Sequence, residues 1–201
     1  MSHWLMLPDE TKFPKPREGY PVITWVYPAE RFPEKPRALT LTKLDKGDYT
    51  ISLFCSRGYA LYMPSIYPAN ATDAGHGIGV TTTNHEPAAE MNASYAASLV
   101  PLRESGLVDM KRIAVAGHSG GGNLAMEIAA SDIPVKTALA FSGVSDRALW
   151  YWGFPPQIAA DPQPEVLLWK YIYFSWAESG QGDMGVPPWK DEDRWTRNSP
   201  V

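Results

Sequence analysis

Ser119 is the residue whose neighbours best equip it for chemistry. It stands in Gly117-His118-Ser119-Gly120-Gly121, a G-x-S-x-G pattern. A serine hydroxyl attacks a carbonyl well only when a base takes its proton and fixed N–H groups receive the charge that develops on oxygen. The pattern addresses the second need. A serine at a tight turn from strand to helix is held in a strained backbone, with its hydroxyl lifted clear of the sheet. The helix start offers unpaired N–H groups where negative charge is stabilised. The N–H of Gly120 is the expected oxyanion donor. Strand and helix pass close together at such a turn, so the residues two before and two after must lack a bulky Cβ. Gly117 and Gly121 meet that demand. The plainer reading of the same residues is a glycine-rich turn with Ser119 as an N-cap.

The first need is harder to meet. The four histidines, His3, His76, His85 and His118, all come before or within the motif, and none follows Ser119. His118 is the x of the pattern and should point away from the nucleophile's side. His76 and His85 read as solvated loop residues. Acids after Ser119 include Asp132, Asp146, Asp161, Asp183, Asp191 and Asp193. Asp146 follows a strand, a place where an orienting acid can stand, and a cap on the next helix is its expected role.

The elements that must position the serine can be read from pattern. Arg112 to Ala116 is a short β-branched apolar run, read as a buried strand, and Asn123 to Ala130 as a helix. Upstream, His3 to Leu7, Pro21 to Val26 and Tyr59 to Met63 read as strands. Tyr49 to Arg57 reads as a short helix. Glu30 to Gly47 and Pro64 to Glu86 read as loops. Pro87 to Ser105 is helical by composition, with Pro101 as a kink or break and Gly106 as its cap. Val135 to Phe141 is a fifth strand. From Ser142 onward no strand pattern appears, and helices and irregular segments are expected over the carboxyl edge of the sheet. Strands alternating with helices and loops predict an α/β fold with a mostly parallel sheet.

Composition narrows the classes. The chain has 201 residues, 44% hydrophobic and 20% charged, which suits one domain with a real core. A net charge of −4 with scattered basic residues gives no footprint for nucleic acid. Apolar runs fall short of a membrane span, and Met1 to Leu7 shows no signal-peptide pattern; the compartment is not legible. Cys55 is the one cysteine and reads as a small buried hydrophobe. No cofactor fingerprint and no metal-ligand cluster is visible.

Several stretches together resemble the catalytic domain of the prolyl oligopeptidase family of serine peptidases, an α/β-hydrolase. They are YPVITWVYP (20–28), SRGYALYMPSI (56–66), GLVDMKRIAVAGHSGGGNLAM (106–126), ALAFSGVSD (138–146) and GQGDMGVPPWKDEDRWTRNSPV (180–201). The last carries the G-x-G-x-M-G stretch, a tryptophan, acids and N-S-P, as in acylaminoacyl peptidases and oligopeptidases. The family usually has Tyr or Asn after the nucleophile, or Gly in some members, and Gly120 fits that range.

The resemblance implies a peptidase that acts on peptide substrates through a Ser119 acyl-enzyme. It places the Tyr27 hydroxyl beside the Gly120 N–H in the oxyanion hole. It makes Trp150, Tyr151 and Phe154 the local candidates for substrate binding, with plain packing as the alternative for each. It also implies that 1–201 is a partial catalytic domain. The sheet would stop before its last core strands, the triad Asp and His would lie beyond residue 201, and the family's upstream β-propeller would be absent. On that reading the isolated chain has feeble activity at most. Alternatives are an esterase or lipase of the same fold, or a degenerate hydrolase kept for binding.

Overall fold

The protein is described here from a computed structural model, covering residues 3–28, 51–67, 85–152, 171 and 174–200. The sheet is built from β1 (Trp4–Met6), β2 (Tyr20–Trp25), β3 (Ala60–Met63), β4 (Val108–His118) and β5 (Thr137–Phe141), in the order β1-β3-β2-β4-β5. Only β1 runs antiparallel to its neighbour. The remaining pairs are parallel. Parallel neighbours need crossovers, and α1 (Pro87–Glu104) joins β3 to β4 while α2 (Gly120–Ala129) joins β4 to β5.

Alternation in the central strands sends side chains to two buried faces, as a covered parallel sheet requires. Val22 and Val26 of the β2 segment, with Tyr62 of β3, pack with Tyr95, Leu99 and Leu102 of α1 and Leu124 and Ile128 of α2. Thr24 points the same way, its hydroxyl 2.8 Å from that of Tyr95. Ile23, Trp25, Leu61 and Met63 face the other side, against Cys55 and Phe54. Cys55 lies in a 3-10 helix, Ile51–Arg57. It is buried, and that burial pushes its thiol pKa up. Burying each large aliphatic side chain contributes about 1.5–3 kcal/mol.

Three expectations from the sequence need correction. The strand leading into the serine runs from Val108 to His118, well beyond 112–116. Charge does not end it at Asp109, because Arg112 Nε donates to that carboxylate at 2.7 Å and Arg112 Nη2 to the Gly19 carbonyl at 3.0 Å. The following helix starts at Gly120, directly after the serine, rather than at Asn123. Pro101 does not break α1, which continues through it to Glu104. Only the last turn follows Pro101, Leu99 and Leu102 anchor that turn in the core, and the Pro101 carbonyl accepts from Ser105 N at 3.1 Å. Gly106 ends the helix at φ 63°.

Among the described residues after β5 are the short α-helices α3 (Arg147–Trp152) and α4 (Glu192–Arg197), with helical residues at 174–178 and a 3-10 turn at Pro188–Lys190. A third cluster of Tyr151, Ala177, Met184 and Trp195 joins them. β5 sits at the end of the strand order and is largely exposed, with Leu139 at 37%. The expected loop at 30–47, residues 68–84 of the loop expected at 64–86, and residues 49–50 lie outside the described residues.

Candidate active site

The strand order places the chain's switch of direction between β2 and β4: β3 lies beyond β2 on one side, and β5 beyond β4 on the other. Crevices form outside the carboxyl ends of strands at such a point. The carboxyl end of β2 runs into Tyr27 and Pro28, and that of β4 into Ser119.

Ser119 has φ 56° and ψ −119°, a region L-residues rarely adopt. Its N–H donates to the Phe141 carbonyl at 2.8 Å, and its carbonyl accepts from Asn123 N at 3.1 Å, so both neighbours pin the bend. Ser119 occupies the N-cap position of α2 but makes no side-chain capping bond. The hydroxyl is therefore not spent on the helix. The glycines are needed on steric grounds. A Cβ on Gly117 would lie 2.3 Å from the Gly121 carbonyl oxygen, and one on Gly121 would lie 2.2 Å from that of Val26.

Around this bend is a cavity of about 210 Å³, lined among others by Pro28, Met91, Ser119, Gly120, Glu127, Arg147, Trp150, Trp176 and Gln181. Tyr27 lies against the elbow: its Cδ2 would be 3.3 Å from a Cβ on Gly121. Its hydroxyl accepts from Gln181 Nε2 at 3.0 Å. Trp150 lines the cavity, its ring centroid 5.6 Å from that of Trp176. Tyr151 does not line it. It is buried against Phe174 and Trp195, and its hydroxyl donates to Glu178 at 2.6 Å. Burial, with the Glu178 carboxylate adding to it, pushes the Tyr151 phenol pKa up. Phe154, His76 and Asp161 lie outside the described residues.

Asp146 caps α3, accepting from Leu149 N at 2.8 Å, as expected of it. His85 has its Nδ1 3.0 Å from a buried Asp183 oxygen, in the manner of an oriented imidazole. It is not among the residues lining the cavity around Ser119. The pair instead fastens the start of α1 to the segment that carries Gln181.

Three features of the site escaped the sequence. Glu127 and Arg147 form a buried ion pair on the cavity wall. Glu127 stands on α2 and Arg147 on α3, and only the fold brings them together. Trp176 and Gln181 come from the segment after β5, where no periodicity announced a face. Asn198 and Ser199 of the N-S-P stretch also gain a role. Asn198 accepts from Ala88 N at 3.0 Å, Ser199 accepts from Arg147 N at 3.0 Å, and Arg147 Nε donates to the Asn198 carbonyl at 2.7 Å. The stretch thereby ties α1, α3 and α4 together at the rim.

A mostly parallel sheet with helices between its strands and a strained serine between β4 and α2 define a hydrolase-type α/β fold. The chain belongs to the dienelactone hydrolase family, whose model matches residues 42–167. Among solved structures it is similar to an acylaminoacyl peptidase of Pyrococcus horikoshii, with 16% identity, a TM-score of 0.61, and coverage of 99% of this chain and 27% of that one. It is similar to an acylaminoacyl peptidase in complex with Z-Gly-Gly-Phe-chloromethyl ketone, with 19% identity, a TM-score of 0.62 and the same coverage. An acetyl xylan esterase from Paenibacillus sp. R4 also matches, with 19% identity, a TM-score of 0.50, and coverage of 98% of this chain and 56% of that one. The chain thus spans about a quarter of the length of the two peptidases. No curated protein sequence matches. The resemblance to prolyl oligopeptidase-type catalytic domains is borne out at the level of fold. Among the described residues no helix is long and apolar enough to cross a membrane, and no three His, Cys, Asp or Glu residues are grouped to hold a metal.

Proposed function

We propose that Ser119 is the nucleophile of a serine peptidase that works through an acyl-enzyme. The observation that carries this reading is the positive φ of Ser119 at the carboxyl end of β4, beside a cavity and with no capping bond on its hydroxyl. Strain of this kind is held only when surrounding structure enforces it, and it clusters at functional sites. Ser119 Oγ attacks the scissile carbonyl. The oxyanion is received by the Gly120 N–H, at the positive end of α2, and by the Tyr27 hydroxyl. Trp150 and Trp176 offer an apolar wall to the substrate chain. Phe154 and Tyr151 were candidates for the same wall; the burial of Tyr151 supports packing for it instead.

The base that takes the Ser119 proton is assigned, with its orienting acid, to segments after residue 201. The exposed β5 edge supports a sheet completed by further strands, and a partial domain in 1–201. On their own these residues would turn substrate over feebly, since a nucleophile without its base keeps only what binding and the oxyanion hole supply. A second reading, an esterase, is favoured by the likeness to the acetyl xylan esterase. Hydrolysis of aminoacyl-nitroanilides and of short acyl esters by the intact gene product separates the two. Peptidase action requires nitroanilide turnover that disappears in Ser119→Ala. Turnover confined to esters would replace it with the esterase, and no turnover of either would leave a binding protein.

A further inference from the structure

Gln181 reaches one of the groups that the preceding reading assigns to the oxyanion and packs against the residue that carries the other. Its Nε2 donates to the Tyr27 hydroxyl at 3.0 Å. Its Oε1 lies 2.8 Å from the point that a Cβ on Gly120 would occupy. The amide therefore fills the space above the residue after the nucleophile, space that a glycine leaves open. It also lines the cavity beside Ser119.

The backbone carrying Gln181 is fixed on both sides. Gly180 N donates to Ser175 O at 2.9 Å, Gly182 N to Trp176 O at 2.9 Å, and Met184 N to Ala177 O at 3.1 Å. The buried Asp183 carboxylate is held by His85. A Cβ on Gly182 would meet the Ala177 carbonyl oxygen at 2.3 Å, so the loop lies as close to its neighbours as a backbone can. Such a platform fixes the reach of the amide.

A phenol has one proton to give and lone pairs to receive. The bond from Gln181 occupies a lone pair and does not use the Tyr27 proton. It also withdraws density from the oxygen, which makes the O–H a better donor through cooperativity. We infer that Gln181 is a positioning residue of the oxyanion site, aiming the Tyr27 hydroxyl at the developing charge. This rests on the reading of Ser119 and Tyr27 given above.

The test is steady-state hydrolysis of p-nitrophenyl acetate by the intact gene product. The variants are Ser119→Ala, Tyr27→Phe, Gln181→Ala, Gln181→Glu and the Tyr27→Phe/Gln181→Ala double. Removing an oxyanion donor lowers kcat about a hundredfold, which is the expectation for Tyr27→Phe. Gln181→Ala should lower kcat about five- to tenfold, the worth of one hydrogen bond, with KM nearly unchanged. The double should match Tyr27→Phe alone. Gln181→Glu keeps size and packing but offers only acceptors, so it draws the Tyr27 proton to itself and should be at least as impaired as Gln181→Ala. A merely structural Gln181 would tolerate glutamate and multiply its effect with Tyr27→Phe. Either of those results, or wild-type kcat in Tyr27→Phe or Gln181→Ala, overturns the inference. If Ser119→Ala leaves hydrolysis unchanged, the reading of the nucleophile fails and this inference falls with it.

Discussion

Replacing Arg147 by methionine should destabilise the protein by about 3–5 kcal/mol, the usual cost of stranding one partner of a buried ion pair. Arg147 is 6% exposed and Glu127 is 5% exposed. The guanidinium donates to Glu127 through Nη2, to the Asn198 carbonyl at 2.7 Å through Nε, and to the Gly182 carbonyl at 3.4 Å through Nη1. Methionine keeps much of the volume and none of these bonds, and it leaves the Glu127 carboxylate buried without its counter-charge. Glu127→Leu should be comparably harmful, because it strands the cation. The double Glu127→Leu/Arg147→Met should recover most of the loss. What remains is the two carbonyls, at about 1 kcal/mol each, so the double should sit about 2 kcal/mol below wild type. Urea unfolding followed by tryptophan fluorescence measures all four proteins, with one m-value as the check on two-state behaviour. For a chain of this size the single variants should also melt roughly 10 °C lower. If the single losses simply add in the double, the pair is not coupled and the reasoning is refuted.

Two further outcomes follow from the geometry. Gly121→Ala forces a Cβ to 2.2 Å from the Val26 carbonyl oxygen, a backbone atom of the central strand. The strand must move, and the expected loss is about 3 kcal/mol, read as a fall in the urea midpoint, together with loss of any Ser119 reactivity. A stable and reactive Gly121→Ala would show that the elbow is looser than described. The second concerns acid. Burial pushes the Glu86 carboxyl up, but hydrogen bonds from Arg197 at 2.8 Å and Asn198 at 3.0 Å, with the Arg197 and Arg194 charges, outweigh it and hold its pKa below the usual 4.5. A depressed folded pKa means stability that is present above the unfolded value and lost as pH falls through the folded one. Wild type should therefore lose about 0.5–1 kcal/mol more than Glu86→Gln on acidification below that value, a partly exposed pair being worth no more. Parallel pH profiles of the two would contradict this.

Much of the fold was legible because β-branched runs and glycine placement speak locally. PVITWV and YALYM announced central strands, and the strand residues they contain are largely buried on two faces, with Tyr59 left outside β3 and exposed. Gly117 and Gly121 announced a close approach of strand and helix, and the distances bear that out. The start of α2 was misplaced because Gly120 to Gly122 have poor helix propensity. Their place in α2 comes from tertiary contacts, Gly122 lying against the Phe141 carbonyl, where a Cβ would come within 2.7 Å. The site was legible only at its centre. Ser119 carries a motif, whereas Gln181, Glu127 and Arg147 reach the cavity from elements whose relative placement no local pattern encodes. Tyr151 and Trp150 are adjacent in sequence and aromatic alike, so sequence alone could not tell the packed ring from the one on the cavity. The helix α3 separates them, turning one toward Trp195 and the other toward Trp176.

The central claim concerns one hydroxyl, and a fluorophosphonate probe interrogates it directly. The intact gene product should be treated with the probe, digested, and its modified peptide mapped by mass spectrometry. A single adduct on Ser119 is expected, absent from the Ser119→Ala variant and weakened in Gln181→Glu. An unmodified protein, or an adduct on another serine, would contradict it.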